Sequence, residues 1–354
     1  MKVLSLFDGM ACGMLAMKAA GFAVERYVAY EIDNYAIQTA THNFPMIEQM
    51  GDVFDADFTA FRGFDYLIGG SPCTYWSIAQ KNDRETEASG IGWELFCQYV
   101  RALREAHPRY FIYENNKSIS LAIKTSISKA FGFDPVYINS SLVSAQRRQR
   151  LYWVGKRNKD GTYSRVNVPE PNDRKIYLEQ ILTNEDFADY RGGAMVRERP
   201  CLVSYHDDTY RVGVTGKSGG QAVRVYDIKG KSVTLQSQAG GGGAKTGLYL
   251  VDGQVKSLSR TGAMKMQTVP LWYEFPCSDQ QAITLLGNGW TVDVIAHILS
   301  YLKDDNPIDS PVTFGEIVLA LRKFAENESD EYKHLIFTTA ADKIAEQWAG
   351  DANG

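Results

Sequence analysis

The sequence predicts an α/β fold built on an open, mostly parallel sheet, followed by a small loop-rich second domain and an acidic helical appendage. Three observations predict it. The first half alternates strand-like apolar runs with helical stretches, the pattern of a parallel sheet covered on both faces. From about residue 183, glycines (Gly216, Gly219, Gly220, Gly230 and the run 240–243) break every periodicity. The last stretch, 303–354, carries five Lys/Arg against eleven Asp/Glu, a net charge of −6. The 354 residues suit two domains of about 150 each, or one with an insert.

In chain order, residues 2–7 form a short apolar strand that runs into a Gly-bearing turn. Residues 14–21 then read as a helix ending at Gly21. Residues 27–32, 66–70 and 110–114 are further strands bounded by turn residues, with a helix over 93–106 that stops before Pro108. Residues 136–143 and 150–154 have no helix between them, which predicts an antiparallel hairpin at the sheet edge. Short β-like pieces follow at 223–228, 232–235 and 248–251. Residues 282–302 return to a helical pattern, and 313–324 and 340–348 read as acidic amphipathic helices. There is no internal repeat. The expected division is a sheet domain over 1–182, a loop-rich domain over 183–275, a segment over 276–302 that returns to the first domain and the appendage over 303–354.

Hydrophobic residues at 44% and charged residues at 23% exclude a fully disordered chain. No run approaches the roughly 20 apolar residues of a membrane helix. Asp8 interrupts the N-terminus before a signal-peptide core forms. The expected location is therefore the cytoplasm, with no membrane partner. Five scattered cysteines (Cys12, Cys73, Cys97, Cys201, Cys277) without a CxxC pair argue against a zinc ribbon or a disulfide framework; no metal is expected. The net charge of −4 is uneven. Residues 144–175 carry a net +6 and 191–265 a net +7, two basic regions suited to phosphate.

The chemistry-bearing residues cluster at predicted strand ends. LFDGMACG (6–13) lies where a strand turns into a helix, so glycine lets the backbone approach a ligand and the helix start offers free N–H groups. Glu31 ends the next strand, where an acid typically bonds a ribose diol. Asp52, in Gly51–Val53, would accept from an amino group. Neither GxGxxG nor GxxxxGK[ST] is present. GGSPCTYWS (69–77) places Cys73 directly after Pro72 in a turn at a strand's C-terminal end, where open α/β sheets bind ligands. A nucleophilic thiol there needs a positive or hydrogen-bonding environment. YENN (113–116) brings Glu114 to the same crevice. Gln146, Arg148 and Arg150 alternate, and on a strand they would share one face.

Taken in order, these segments resemble the DNA (cytosine-5) methyltransferases. LFDGMACG is similar to the family's methyl-donor turn, Pro72–Cys73 to its nucleophile motif, Glu114–Asn115 to its acid motif and Gln146-x-Arg148-x-Arg150 to its QxRxR element. RVYDIKGKSVTL (224–235) resembles the segment before the final helix, and LLGNGWTVDVIAHIL (285–299) the last conserved block. The donor turn and closing block resemble the de novo branch and related bacterial and phage enzymes. The resemblance covers roughly residues 1–302.

It implies a Rossmann-like, S-adenosylmethionine-dependent sheet with S-adenosylhomocysteine as product. The donor would be held by Phe7, Asp8, Gly9, Met10, Ala11, Cys12, Glu31, Ile32, Asp52, Val53, Pro72, Asn288 and Trp290. Cys73 would attack carbon 6 of a flipped cytosine in double-stranded DNA, and Glu114 would hold or protonate N3. Arg148 and Arg150 would hold the cytosine carbonyl or a phosphate and favour the thiolate. Ser71, Asn115 and Gln146 would line the substrate. A tRNA cytosine methyltransferase and a catalytically silent DNA-binding relative are the alternatives. A monomer, a homodimer and a paired restriction enzyme are all compatible. The chain departs from the family pattern at Asn116, where Val is usual, at Thr74, where Gln or Asn is usual, and loosely over 257–276. The appendage has no family counterpart.

Overall fold

The protein is described here by a computed structural model, which covers residues 1–77, 84–190, 196–204, 208–215, 223–237, 247–303 and 338–339. The chain divides into two units, Met1–Leu302 and Lys303–Gly354. The helices expected over 313–324 and 340–348 lie outside the described residues.

The first sheet comprises β1 (Lys2–Leu6), β2 (Arg26–Tyr30), β3 (Ile47–Gln49), β4 (Tyr66–Gly69), β5 (Tyr110–Asn116), β6 (Val136–Asn139), β7 (Gln149–Arg157) and β8 (Tyr163–Arg165). Their order is β3-β2-β1-β4-β5-β7-β6, with β8 on β7. The first five run parallel, and β7 is antiparallel to both β5 and β6. The expected hairpin is therefore present, with β6 at the edge and β7 inserted beside β5. Alternation along each strand buries both faces. Val3, Tyr27, Tyr66 and Tyr110 join one core cluster, and Leu4, Val28, Leu67 and Phe111 the other.

Helices α1 (Cys12–Ala19), α2 (Asn34–Asn43), α3 (Gly90–Ala106) and α4 (Leu121–Phe131) connect the strands. Two of these, α2 and α4, escaped the sequence reading. Asp33 caps α2 by accepting from the Tyr35 and Ala36 amides, and Ser120 caps α4 through the Ile123 amide. β2 ends two residues earlier than expected. The Glu31 carboxylate takes the Ile32 and Asp33 amides at 2.8 and 2.9 Å, which bends the chain out of the sheet.

A short helix, α5 (Leu178–Ile181), leads to the second sheet: β9 (Phe187–Asp189), β10 (Arg197–Ser204), β11 (Thr209–Val214), β12 (Arg224–Asp227), β13 (Leu248–Val251) and β14 (Gln254–Leu258), in the order β10-β11-β12-β13-β14-β9. Residues 232–235, expected as a strand, make only an isolated bridge between Ser232 and Gln146. Their polar groups are taken by the 145–147 segment: Ser232 N–H donates to Ala145, Thr234 Oγ1 to the Arg147 carbonyl and Leu235 N–H to Gln146 Oε1. Tyr226, Tyr249 and Leu258 share a core cluster with the first sheet.

Helix α6 (Arg260–Met266) precedes α7 (Asp279–Asn288) and α8 (Val292–Ser300). The single helix expected over 282–302 is broken at Gly289–Thr291. Gly289 turns extended there and releases carbonyls for Arg148. Among the described residues, Asp279–Ser300 has the length and apolar character of a membrane span, although no such run was expected. More than half of its most apolar window is buried.

Candidate active site

The donor turn joins β1 to α1. Phe7, Gly9 and Ala11 all take left-handed φ, at 57°, 61° and 59°, which coils the chain tightly over the sheet edge. Gly9 suits this at no steric cost, and nothing lies within 4 Å of where a side chain there would begin. Met10 and Ala11 point into the core, so their contacts with a ligand are limited to backbone. The Gly9 amide donates to Glu31 at 2.8 Å, which joins the two predicted donor elements. Ile32, beside it, is 70% exposed. Asp52 is half-buried and caps the turn after β3 through the Phe54 amide, while Val53 is buried.

Asp8 is buried behind this turn. Its Oδ1 accepts from Ser5 and Tyr27 hydroxyls, each at 2.6 Å, and its Oδ2 has no partner. Burial pushes its carboxyl up to about 6, against the pull of the two hydroxyls, with Glu31 adding to the rise. Cys12 is buried and its thiol is pushed up to about 12 by desolvation, so it is a protonated wall residue at neutral pH. An orphaned carboxylate oxygen, an open glycine turn at a helix N-terminus and an exposed apolar side chain beside Glu31 fit S-adenosylmethionine, whose sulfonium and ammonium are cationic. Asn288 is exposed and Trp290 half-buried beyond Gly289.

The reactive centre lies along β4 and β5. Gly70 has to be glycine: a Cβ there would stand 2.7 Å from the Glu114 carbonyl and 3.0 Å from its Oε2. Ser71 is buried; its hydroxyl pairs with Tyr113 at 2.6 Å and its carbonyl accepts from Asn115 at 3.2 Å. Ser71 and Asn115 thus hold the turn that leads through exposed Pro72 into a 3-10 turn, Cys73–Tyr75. The Cys73 side chain lies outside the described part of the structure. Glu114 Oε1 meets Arg150 Nε at 3.0 Å, and its Oε2 accepts from Trp290 Nε1 at 2.9 Å. The expected donor-wall residue Trp290 therefore touches the acid as well.

The geometry changes the reading of two residues. β7 begins only at Gln149, so Gln146 and Arg148 do not continue a strand and do not share a face with Arg150. Gln146 is fully buried; its Nε2 donates to Met266 O and Gln267 Oε1, and its Oε1 accepts from Leu235. Arg148 is buried and donates to the carbonyls of Leu235, Gly287 and Gly289, each at 2.8 Å. In this structure the donors of Gln146 and Arg148 are taken up by buried carbonyls and a side-chain amide oxygen, and the Arg148 fork closes the carbonyls at the chain break. Arg150 is the arginine that stands with the acid.

Sequence reasoning missed several supports. Tyr27 reaches Asp8 only through the parallel register of β1 and β2. Trp76 is buried and donates to Glu85 at 3.0 Å, while Arg84 donates to the Trp76 and Ser118 carbonyls. No local signal marks these. Asn116, noted as a departure, accepts from the Ser118 amide and hydroxyl through Oδ1, and its buried Nδ2 has no partner. Such an unmet donor costs about 1–3 kcal/mol.

The family model for C-5 cytosine-specific DNA methylase matches residues 1–304. The chain is 26% identical over 315 residues to the Type II methyltransferase M.HhaI of Haemophilus parahaemolyticus, covering 84% of this chain and 93% of that protein. It is 27% identical over 316 residues to the orphan methyltransferase M.Rho11sI of Bacillus phage rho11s, covering 71% and 61%. In fold it is similar to a putative DNA modification methyltransferase encoded within a prophage of E. coli, with a TM-score of 0.58 at 18% identity over 85% of this chain and 98% of that one. The S. pombe Dnmt2 methyltransferase gives a TM-score of 0.59 at 15% identity over 85% and 97%. With the family model spanning both sheets and the closing helices, the chain belongs to the C-5 cytosine-specific DNA methylases, and it methylates carbon 5 of cytosine in DNA with S-adenosylmethionine as methyl donor.

Proposed function

We propose that the chain acts on double-stranded DNA through a covalent Cys73 adduct on a flipped cytosine. Cytosine carbon 5 is too weak a nucleophile to be methylated directly. Cys73, as thiolate, adds to carbon 6, and Glu114 holds or protonates N3 so that the ring accepts the electrons. Arg150 and Trp290 each hold one oxygen of Glu114 and so orient it toward the base. Bound S-adenosylmethionine supplies the electrophilic methyl group that the resulting enamine carbon takes up. Loss of the carbon 5 proton then expels Cys73 and restores the ring. On the donor side Gly9 and neighbouring backbone, Glu31, Ile32, Asp52 and Val53 bind and orient, while Asp8 meets positive charge. In this reading Arg148 and Gln146 hold the site together rather than touch the base.

The observation that carries the reading is Glu114, held between Arg150 and Trp290 and packed on Gly70, three residues before Cys73. Residues 1–182 and 276–302 carry the chemistry. Residues 183–275, which contain the +7 basic stretch, follow the duplex backbone and read sequence. Cytoplasmic DNA is the substrate, and the likeness to Type II methyltransferases supports a place in restriction–modification. The test is expression in a methylation-free host, followed by bisulfite sequencing of its DNA. Protected cytosines in a fixed sequence context with the wild type, and none with Cys73→Ala, are expected. Methylation that survives Cys73→Ala contradicts the mechanism.

A further inference from the structure

The turn that carries Cys73 is pinned on both sides. Before it, buried Ser71 is tied to Tyr113 and Asn115 of β5. Between the pins, Pro72 and Thr74 are exposed. After it, Arg84 and Glu85 hold the next two residues. The Glu85 amide donates to the Tyr75 carbonyl at 2.9 Å, and Arg84 Nε donates to the Trp76 carbonyl at 3.1 Å. Trp76 is fully buried, and its Nε1 donates to Glu85 Oε2 at 3.0 Å. The same short segment reaches the strand of the acid. Arg84 donates to the Ser118 carbonyl at 2.6 Å, and the Ser120 hydroxyl donates to the Thr86 carbonyl, both between β5 and α4.

The start of α3 is shaped to receive Glu85. Its N-cap, Ser89, makes no side-chain cap bond. The Gly92 amide, one of the helix's unpaired first donors, points instead to Glu85 Oε1 and Oε2, at 3.3 and 3.2 Å. Glycine is a poor choice for a helix's first turn, but here it leaves the space that the carboxyl group fills. A Cβ on Gly92 would stand 2.5 Å from Trp76 Nε1 and 2.6 Å from Glu85 Oε2, and one on Gly90 would strike Glu85 Oε1. One carboxyl group thus joins the residues after the nucleophile to the head of a 17-residue helix.

We propose that Glu85 is a positioning residue for the reaction: by fixing Trp76 and Tyr75 against α3, it sets where the Cys73 turn presents its nucleophile to the base. The inference rests on the cytosine methyltransferase reading. A nucleophile misplaced by about 1 Å can lose about 10²-fold in rate. The test is steady-state methylation of DNA carrying the target sequence mapped for the wild type. Glu85→Ala should lower kcat about 10²-fold, with KM for DNA and calorimetric affinity for S-adenosylmethionine within about twofold. Glu85→Gln puts an amide oxygen where Oε2 accepts from Trp76 and Gly92, so it should recover kcat to within about threefold of wild type. Trp76→Phe keeps an aromatic ring and removes the indole N–H, so it should lower kcat about tenfold. The double variant should be no slower than Glu85→Ala alone, because both changes break one contact. Where Glu85→Ala fails to fold, Trp76→Phe and Glu85→Gln decide. Wild-type kcat in Trp76→Phe, additive losses in the double variant, or losses that fall on KM and donor affinity instead of kcat overturn the inference and leave the methyltransferase reading intact. A wild type that methylates no cytosine overturns both.

Discussion

Two carboxyl groups stand at the same edge of the first sheet in opposite surroundings. Glu114, on β5, faces a guanidinium and an indole N–H. Asp8, after β1, is met only by two hydroxyls and keeps one oxygen bare. Burial with only neutral donors leaves Asp8 reluctant to ionise. Glu114 thus has both oxygens partnered, whereas Asp8 keeps one oxygen unmet. The two pockets should therefore respond differently to mutation and to pH.

The largest separation is expected from Cys73→Ala, which should abolish methyl transfer while calorimetric binding of S-adenosylmethionine stays near wild type. Loss of donor binding in that variant would merge the two pockets. Next, Glu114→Gln should lower kcat by about 10²–10⁴-fold in steady-state methylation of plasmid DNA. It should leave donor affinity within about twofold, since the amide oxygen of Gln can still accept from Trp290 Nε1.

Arg148→Met should act on stability instead. It strands three buried carbonyls, each worth about 1–3 kcal/mol, so thermal unfolding should shift down by several degrees or the chain should fail to fold. If Arg148→Met kept full stability and lost only DNA affinity, Arg148 would belong to the substrate after all.

Asp8 gives the pH-dependent arm. Its folded value is raised from 3.8 to about 6, so its contribution to stability is present below the unfolded value and is lost as pH rises through about 6. Without ligand, the wild type should lose up to about 3 kcal/mol relative to Asp8→Asn between about pH 4 and pH 7, read by denaturant unfolding. A cationic donor favours the ionised form, so affinity for S-adenosylmethionine should rise about tenfold over the same interval in the wild type and stay flat in Asp8→Asn. The facing groups Tyr27, Glu31 and Cys12 are neutral or negative, and none supplies the missing positive charge. The smallest effect is expected for Tyr27→Phe, which removes one of the two hydroxyls and should weaken the fold by about 1 kcal/mol at neutral pH.

What the sequence made legible follows from how local each signal is. The donor turn, Pro72–Cys73 and Glu114 are each readable because a strand end and its turn residues are adjacent in the chain. The parallel sheet was readable because apolar runs alternate with helices. Gln146 and Arg148 were misplaced because period-two spacing was extended three residues past the start of β7, where pairing with 232–235 takes over. The break between α7 and α8 was hidden by continuous apolar periodicity; the extended Gly289 and the carbonyl bonds to Arg148 reveal it. The contact between Trp290 and Glu114 spans 176 residues, and no local pattern encodes such a distance.

The most direct measurement uses DNA in which cytosine is replaced throughout by 5-fluorocytosine, incubated with the protein and S-adenosylmethionine. Fluorine cannot leave as a proton, so the reaction should stop at a denaturation-resistant protein–DNA adduct that peptide mass spectrometry maps to Cys73. An adduct that still forms with Cys73→Ala, or active wild-type protein that forms none, contradicts covalent catalysis by this residue.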